Sequence, residues 1–172
     1  MRSSTLPVAA ALFLLVSMAG LGLLRHLRRT RAVLHSPIVA ILRFDNETGD
    51  PSLDRFSDTL TDDVITRLAA SGAEKYKIIG NSEVLRVPRE QRNLTDIATA
   101  LHANYVILGQ VQTVGSGTRV LAHLIRMPDQ THVWVVRRES ARSDVRDAES
   151  AAAAAIAEEF SLRIVPTQPS GS

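Results

Sequence analysis

Six aspartates between positions 45 and 63 are the residues of this chain best suited to bind a metal ion. The set is Asp45, Asp50, Asp54, Asp58, Asp62 and Asp63. Those at positions 54, 58 and 62 recur every four residues and would share one edge of a helix. Such carboxylates can ligate hard cations, but they can equally offset a helix dipole or face water. Because no D-x-D-x-D-G loop is present, we predict no metal site.

The other reactive residue types lack the spacing that catalysis needs. None of the five histidines forms an H-E-x-x-H pattern, and no G-K-[ST] follows the glycines near position 115. Ser116 does not lie in a G-x-S-x-G turn. The absence of Cys excludes disulfides, zinc-thiolate sites and thiol nucleophiles. We predict a protein that is not an enzyme and has no catalytic residue and no cofactor.

These residues must be positioned by a predicted order of elements, β-α-β-α-β-β-β-α. Short apolar or alternating runs that end at turn residues predict strands, and apolar residues every three or four positions predict helices. The predicted strands are 38–42, 76–79, 105–114, 118–127 and 132–139. The predicted helices are about 53–72, then 94–101 with Asn93 as its cap, and 143–164. This order predicts one α/β domain (an α+β mixed sheet) with helices packed on the sheet.

The fourth predicted strand has apolar residues on both of its faces. Val120, Ala122 and Leu124 would face the core, because alternate residues of a strand share a face. The opposite face would then present Leu121, His123 and Ile125. Either a helix covers these three residues, or they form an interaction surface for a partner or a second copy. His123 and His132 fall in the same predicted hairpin, and we expect that they are not directly opposite each other.

The segment 6–24 is an uninterrupted apolar run of nineteen residues. As a helix it would span about 28 Å, close to the thickness of a bilayer core. A cleaved signal peptide is the alternative, with Ser17-Met18-Ala19 as its cleavage site. We favour an uncleaved signal anchor because the apolar run continues past that site. The predicted organisation is 1–5 tail, 6–24 transmembrane helix, 25–36 basic linker, 37–165 domain and 166–172 disordered tail.

The charge of the chain is unevenly distributed. It contains 20 Lys and Arg and 18 Asp and Glu, but five of the arginines lie in residues 1–35, which contain no acid. From Ser36 onward 15 basic residues face 18 acidic ones, a net charge of about −3. Since a nucleic-acid binder needs a basic surface, we predict no nucleic-acid partner. The basic cluster after residue 24 is typical of a membrane flank.

Several stretches resemble the TolB amino-terminal-like domain, also called the FlgO-like domain. They begin with IVAILRFDNETGDPSLDRFSDTLTDDVITRL and continue through DIATALHANYVILGQV, TRVLAHLI and HVWVVRRES, covering about residues 37–164. The matching positions are Phe44, Asn46, Gly49, Asp50, Phe56, Ser57, Asp58, Leu60, Tyr105, Gly109, Val111, Leu124 and Trp134. The chain departs from the family pattern at Arg43, Thr59 and Gln130, where Pro, Gly and Gly are usual. Asn46, Asp50 and Asp58 are the candidate ligand-binding residues.

The resemblance implies a domain that binds or senses and does not catalyse. Such domains commonly follow a transmembrane helix in winged-helix transcriptional regulators and in class III adenylate cyclases, and they lie outside the cytoplasmic membrane. The positive-inside tendency alone would keep this domain in the cytoplasm, because four arginines follow the apolar segment. We favour export, which gives a single-pass inner-membrane protein with a periplasmic domain.

Two functions follow as hypotheses. The first is a membrane-anchored, non-catalytic sensory or interaction domain of the bacterial envelope, with a protein partner or a second copy of itself. The second is a detached regulatory portion of a membrane-bound adenylate cyclase or winged-helix regulator. A hydrolase is disfavoured because the sequence has no nucleophile motif.

Overall fold

A computed structural model describes residues 36–72, 75–141 and 145–164. Within those ranges the chain forms six strands and three helices, in the order β1 (Ile38–Ile41), β2 (Asp45–Asn46), α1 (Asp54–Gly72), β3 (Lys77–Ile79), α2 (Leu94–Leu101), β4 (Tyr105–Val114), β5 (Gly117–Arg126), β6 (Thr131–Ala141) and α3 (Val145–Arg163). Short 3-10 turns lie at Pro51–Leu53, Glu83–Leu85 and Arg89–Gln91. The predicted transmembrane helix 6–24, its neighbours 1–5 and 25–35, and the tail 166–172 lie outside the described residues. None of the described helices has the length and apolar character needed to cross a membrane.

The strands form one mixed sheet in the order β3-β1-β4-β5-β6. β1 runs parallel to both β3 and β4, whereas β4, β5 and β6 form an antiparallel meander. This confirms the predicted mixed sheet with helices. The prediction missed β2, a strand of two residues that pairs with β4 beyond the end of β1.

At β1 the sheet is covered on both faces, because this strand has apolar side chains on both of its sides. Val39 and Ile41 belong to a core cluster under α1 and α3, while Ala40 and Leu42 belong to a second cluster under α2. All four are fully buried. The continuous apolar run in the sequence therefore has the expected cause, burial of a strand from both faces.

Helix α1 is held by its apolar stripe and by its end. Phe56, Leu60, Val64 and Leu68 are buried, as their spacing predicts. The helix ends at Gly72, where a Cβ atom would lie 1.8 Å from the ring of Tyr76. That ring in turn packs edge-on against Phe160 of α3, with 4.7 Å between ring centroids. Glycine is thus required here for close packing of α1 against the segment that follows it.

Helix α2 begins and ends as the sequence predicts. The side chain of Asn93 accepts hydrogen bonds from the backbone N–H groups of Thr95 and Asp96, which confirms it as the cap. The helix ends at Leu101, and His102 follows with a left-handed φ of 51°. Ile97 and Ala98 of this short helix belong to the second core cluster, together with residues of β1, β4 and β5.

A bulge separates β1 from β2. Ile41 is paired with Ile107 and Asp45 with Gln110. The segment 41–45 therefore contains one residue more than the segment 107–110 of β4 that it faces. The ring of Phe44 fills the space above Gly109, where a Cβ atom would come within 2.2 Å of it. The backbone N–H of Phe44 donates to Thr61 Oγ1 of α1 at 3.0 Å. The bulge is therefore accommodated by one glycine and one helix hydroxyl.

We expect Trp134→Ala to be one of the most destabilising single substitutions in the domain. Trp134 is 5% exposed in the core cluster below α1 and α3, and truncation of a buried Trp costs about 3–5 kcal/mol. Thermal and urea melts of residues 37–172 would measure the loss. Its neighbour Val135 is 53% exposed, so Val135→Ala should change the free energy of unfolding by less than about 0.5 kcal/mol. Equal effects of the two substitutions would contradict this placement of the core.

Candidate functional site

A polar crevice lies at the carboxyl ends of β1 and β3. From β1 the chain continues into α1 on one face of the sheet, and from β3 it continues toward α2 on the other. In open α/β sheets such a switch point is where ligands bind. The crevice is lined by Ile41, Arg43, Asp58, Thr61, Asp62, Asn81, Leu85 and Arg86. Its volume is about 20 Å3, which is room for a water molecule and not for a substrate.

The charged groups in this crevice are engaged with one another. The guanidinium of Arg43 donates to Asp58, and this hydrogen bond raises the pKa of Arg43. Asn81, which has a left-handed φ of 57°, donates to Asp62 at 3.0 Å and accepts from Arg86 at 3.4 Å. These contacts join the end of β1, α1 and the segment after β3. They assign a structural role to the crevice.

The three aspartates along the edge of α1 have separate partners. Asp54 accepts from Asn46 at 2.8 Å, Asp58 pairs with Arg43, and Asp62 accepts from Asn81. Among the described residues there is no group of three or more His, Asp or Glu side chains close enough to hold one ion. The carboxylates share a helix edge as predicted, but neighbouring segments use them one by one.

Divalent cations should therefore leave the stability of the domain unchanged. We expect the melting temperature of residues 37–172 to be the same with millimolar calcium, with magnesium and with a chelator, because only an ion that binds the folded state stabilises it. The variant Asp54→Asn/Asp58→Asn/Asp62→Asn loses exposed pairs and should lose at most about 1 kcal/mol. A calcium-dependent rise of several degrees that this variant abolishes would establish a metal site instead.

Asn46 and Asp50 shape the loop between β2 and α1. The Asn46 amide donates to the backbone oxygen of Asp50 at 2.8 Å, and its oxygen accepts from the N–H of Thr48 at 3.0 Å. Asp50 Oδ1 accepts from the N–H of Ser52 at 3.0 Å and so caps the 3-10 turn before α1. Asn46, Asp50 and Asp58 each make contacts within the fold. Ligand binding by any of them remains a prediction.

A buried ion pair that the sequence did not reveal joins β2 to the segment before α2. The guanidinium of Arg92 makes two hydrogen bonds with Asp45, at 2.6 and 2.7 Å, and a third with the backbone oxygen of Val87 at 2.7 Å. The Arg92 side chain is only 7% exposed. The two partners lie 47 positions apart, and no motif links them. Only the proximity of the 80–93 segment to β2 brings them together.

A wider groove lies between the β2–α1 loop and the turn that joins β4 to β5. Its volume is about 260 Å3. It is lined mainly by small polar residues: Thr48, Gly49, Asp50, Leu53, Thr113, Ser116, Gly117 and Thr118. The hydroxyl of Thr48 donates a hydrogen bond to Asn46 Oδ1. This groove has polar walls, but no cationic group or nucleophile–base pair lies among its lining residues.

The outer face of the β5–β6 hairpin is an open part of the sheet beside the core. We use this name for the surface made by Leu121, His123, Val135 and Arg137. Leu121 and His123 are half-buried and Val135 is 53% exposed. Ile125, predicted on the same surface, is 4% exposed and belongs to the core cluster under α2. Helix α2 thus covers one end of the predicted surface and leaves the other end open.

The two hairpin histidines come into contact beside this face. His123 is opposite Val135 and His132 is opposite Ile125, so they are not directly paired, as expected. A register shift between Leu124 and Ile125 nevertheless brings their rings to 5.4 Å, in an edge-on arrangement. Burial of the ring lowers the pKa of His123, and the charges of His132 and Arg89 lower it further.

This lowered pKa predicts that the domain loses stability on mild acidification. The folded state binds a proton at His123 less readily than the unfolded chain does. Neutral His123 therefore makes its full contribution to the free energy of unfolding above the ordinary His pKa of about 6.5. The contribution is lost as the pH falls through that value toward the folded pKa. We expect melts between pH 7.5 and 5 to show a smaller decrease in His123→Gln than in the parent chain. His102→Gln, at the exposed end of α2, is the control. Parallel pH profiles for the two variants would contradict the assignment to His123.

Comparison with other proteins finds similarity in both sequence and fold. The chain is 28% identical over 109 residues to the Rhizobium meliloti protein "Putative adenylate cyclase 3". This match covers 63% of the chain but only 18% of the relative, so the chain spans less than a fifth of that protein. No protein-family model matches the chain.

Among solved structures, the chain is similar to TolB from Acinetobacter baumannii. The TM-score is 0.51 at 22% identity, over 79% of this chain and 30% of TolB. The LpoB C-terminal domain from Salmonella enterica gives a TM-score of 0.49 at 12% identity, over 63% of this chain and 84% of that domain, and adds no further argument. At 22% identity the likeness to TolB concerns the fold alone. It agrees with the TolB-like fold that the sequence resemblance implies.

Proposed function

We propose that this chain is a membrane-anchored, non-catalytic sensory or interaction domain of the bacterial envelope. The observation that carries the proposal is the outer face of the β5–β6 hairpin. There an exposed Val135 adjoins the half-buried Leu121 and His123. Apolar residues grouped on a rigid sheet are typical of protein contact surfaces.

The placement in the envelope is supported by the sequence and the fold. The apolar segment 6–24 is long enough to anchor the chain, and the TolB-like fold fits an envelope domain. The proposed arrangement is a single pass through the inner membrane with residues 37–165 in the periplasm. A domain charge of about −3 supports a protein partner or self-association rather than nucleic acid.

The lack of catalytic function is supported by how the polar groups are used. Two charged places, the crevice beside β3 and the Asp45–Arg92 pair, connect segments of the fold to one another. Neither arrangement leaves a nucleophile beside a base or an open position for a substrate. These groups contribute to stability and to the shape of the surface.

The alternative is that this domain is a regulatory portion of a larger cyclase or winged-helix regulator. The match to a stretch that makes up 18% of the Rhizobium meliloti protein favours it. A transcript that joins the codons of this domain in frame to an effector domain would establish the alternative. Separate expression from the Met1 codon would favour the envelope proposal.

The membrane part of the proposal predicts that the native protein sediments with membranes and resists alkaline carbonate. Nineteen apolar residues provide enough buried area to retain an anchor in the bilayer. Immunoblots of fractionated cells would measure the distribution, and protease added to spheroplasts should digest residues 37–165. A soluble form that begins at Gly20 would indicate a cleaved signal, and protection from protease would place the domain in the cytoplasm.

The interaction part can be tested in the same membranes with a photo-crosslinking amino acid at position 135. Leu162 of α3 is 68% exposed, on the helix that packs over the opposite face of the sheet, so the same amino acid at position 162 is the matched control. We expect a discrete crosslinked protein band from position 135 and not from position 162. Identical patterns at the two positions would argue against a specific surface on the hairpin.

A further inference from the structure

Strand β6 lies at the edge of the sheet with one side unpaired. It has β5 on one side, and in the described part of the chain no strand pairs with it on the other. Thr131–Ala141 is eleven residues long, and its pairing with β5 is regular from Trp134 to Ala141. Exposed edges of this length present a row of backbone donors and acceptors that another strand can pair with.

The side chains along this edge change from apolar to cationic. Val135, on the outer face, is 53% exposed. Arg137 follows it on the same face, while Arg138 is exposed on the opposite face. Trp134 and Val136 are buried under the helices and are not available to a partner. A strand added to this edge would therefore meet one apolar side chain and then two guanidinium groups.

The local charge at this edge is opposite in sign to that of the domain. The carboxylate of Glu139 is already shared by Arg119 and Arg137. Arg138 donates to the backbone oxygen of Arg137 and makes no ion pair within the described residues. These four residues sum to +2, whereas residues from Ser36 onward carry about −3. The second half of β6 is a basic strip on an acidic domain.

The positive charge of this strip favours an acidic strand as its partner over a second copy of β6. Two copies of β6 paired about Arg137 or Arg138 would bring their arginines together, and like charges opposite each other destabilise a strand pair. An acidic strand would place carboxylates beside Arg137 and Arg138, which stabilises the pair and raises the rate of association.

We propose that β6 binds an extended acidic segment of a partner protein by strand addition. In that segment an apolar side chain lies beside Val135, and carboxylates lie beside Arg137 and Arg138 on the two faces. Backbone hydrogen bonds along β6 provide the affinity, and the apolar–acidic pattern provides the specificity. This inference rests on the proposed interaction function and identifies the chemistry of its partner.

The test uses the full chain in nanodiscs and a synthetic peptide, Thr-Val-Thr-Val-Thr-Glu-Glu-Thr. The control peptide has Lys in place of both Glu. We expect saturable binding of the acidic peptide, measured by fluorescence anisotropy, and slower amide hydrogen exchange within Thr131–Ala141 of β6 on binding. The affinity should decrease with added salt, since exposed charges contribute to it. Equal binding of the two peptides, or binding without protection of β6, would overturn the proposal.

Variants separate strand addition from non-specific attraction. Arg138→Glu breaks no ion pair within the described residues and should weaken binding about tenfold, and Arg137→Glu/Arg138→Glu more. Arg163→Glu, at the end of α3, changes the net charge equally and should leave the affinity within about twofold. Unchanged melts would show that the variants fold. Concentration-dependent dimerisation through β6 would assign the edge to a second copy and contradict this proposal.

The failure of this inference is distinguishable from failure of the proposed function. Crosslinking from position 135 in native membranes that persists in Arg137→Glu/Arg138→Glu would retain the interaction domain but exclude the acidic partner. If this variant loses both the crosslinked band and the affinity for the acidic peptide, the result supports the interaction function and the acidic partner.

Discussion

The burial of β1 on both faces is the constraint on which the rest of this fold depends. Four consecutive apolar residues, Val39 to Leu42, have no contact with solvent. A strand of this kind needs neighbours on both sides and helices above and below it. The parallel partners β3 and β4 meet the first requirement. The chain can provide them only through the crossovers that contain α1 and α2, and those helices meet the second.

The polar contacts of the domain follow from where β1 stops. At its carboxyl end the chain must leave the sheet, and the backbone groups released by the bulge require partners. Phe44 finds one in Thr61, and the N–H of Arg43 finds one in the backbone oxygen of Leu85. The Asp45–Arg92 pair then secures the long segment before α2. Because one of its members is nearly buried, loss of the other would leave an uncompensated charge. The crevice lies where ligands bind in other open sheets, but here it is filled by contacts that hold segments of the fold together.

Local signals in the sequence were sufficient for most of the elements. The bounds of α2 follow from Asn93 and from the apolar spacing after it, and the bounds of β4 follow from a run that ends at Gly115. The buried stripe of α1 follows from its four-residue periodicity. In each of these cases the physical cause lies within about one helical turn or one strand of the residue concerned.

Features that depend on distant parts of the chain could not be predicted in this way. Strand β2 consists of Asp45 and Asn46, which have turn-like character and pair only because β4 lies beside them. The contact between His123 and His132 depends on a register shift that no pattern indicates. For the candidate surface, alternation placed Leu121, His123 and Ile125 on one face. It could not show that Ile125 is buried in the cluster under α2 while the other two are only half-buried. The extent of cover by a short helix is set by tertiary packing.

The position of α3 has a consequence for the order in which the domain assembles. Tyr76 and the end of α1 pack against Phe160, which comes from a helix that follows every strand in the chain. The meander from β4 to β6 joins strands that are neighbours in sequence. In contrast, β1 can pair with β4 only across a separation of 66 positions, and the first core cluster is complete only when α3 is in place. Contacts of such long range form slowly because loop closure precedes them. During synthesis the first core cluster would remain open until α3 emerges, so the helix that completes the core also sets the earliest point at which the domain can fold.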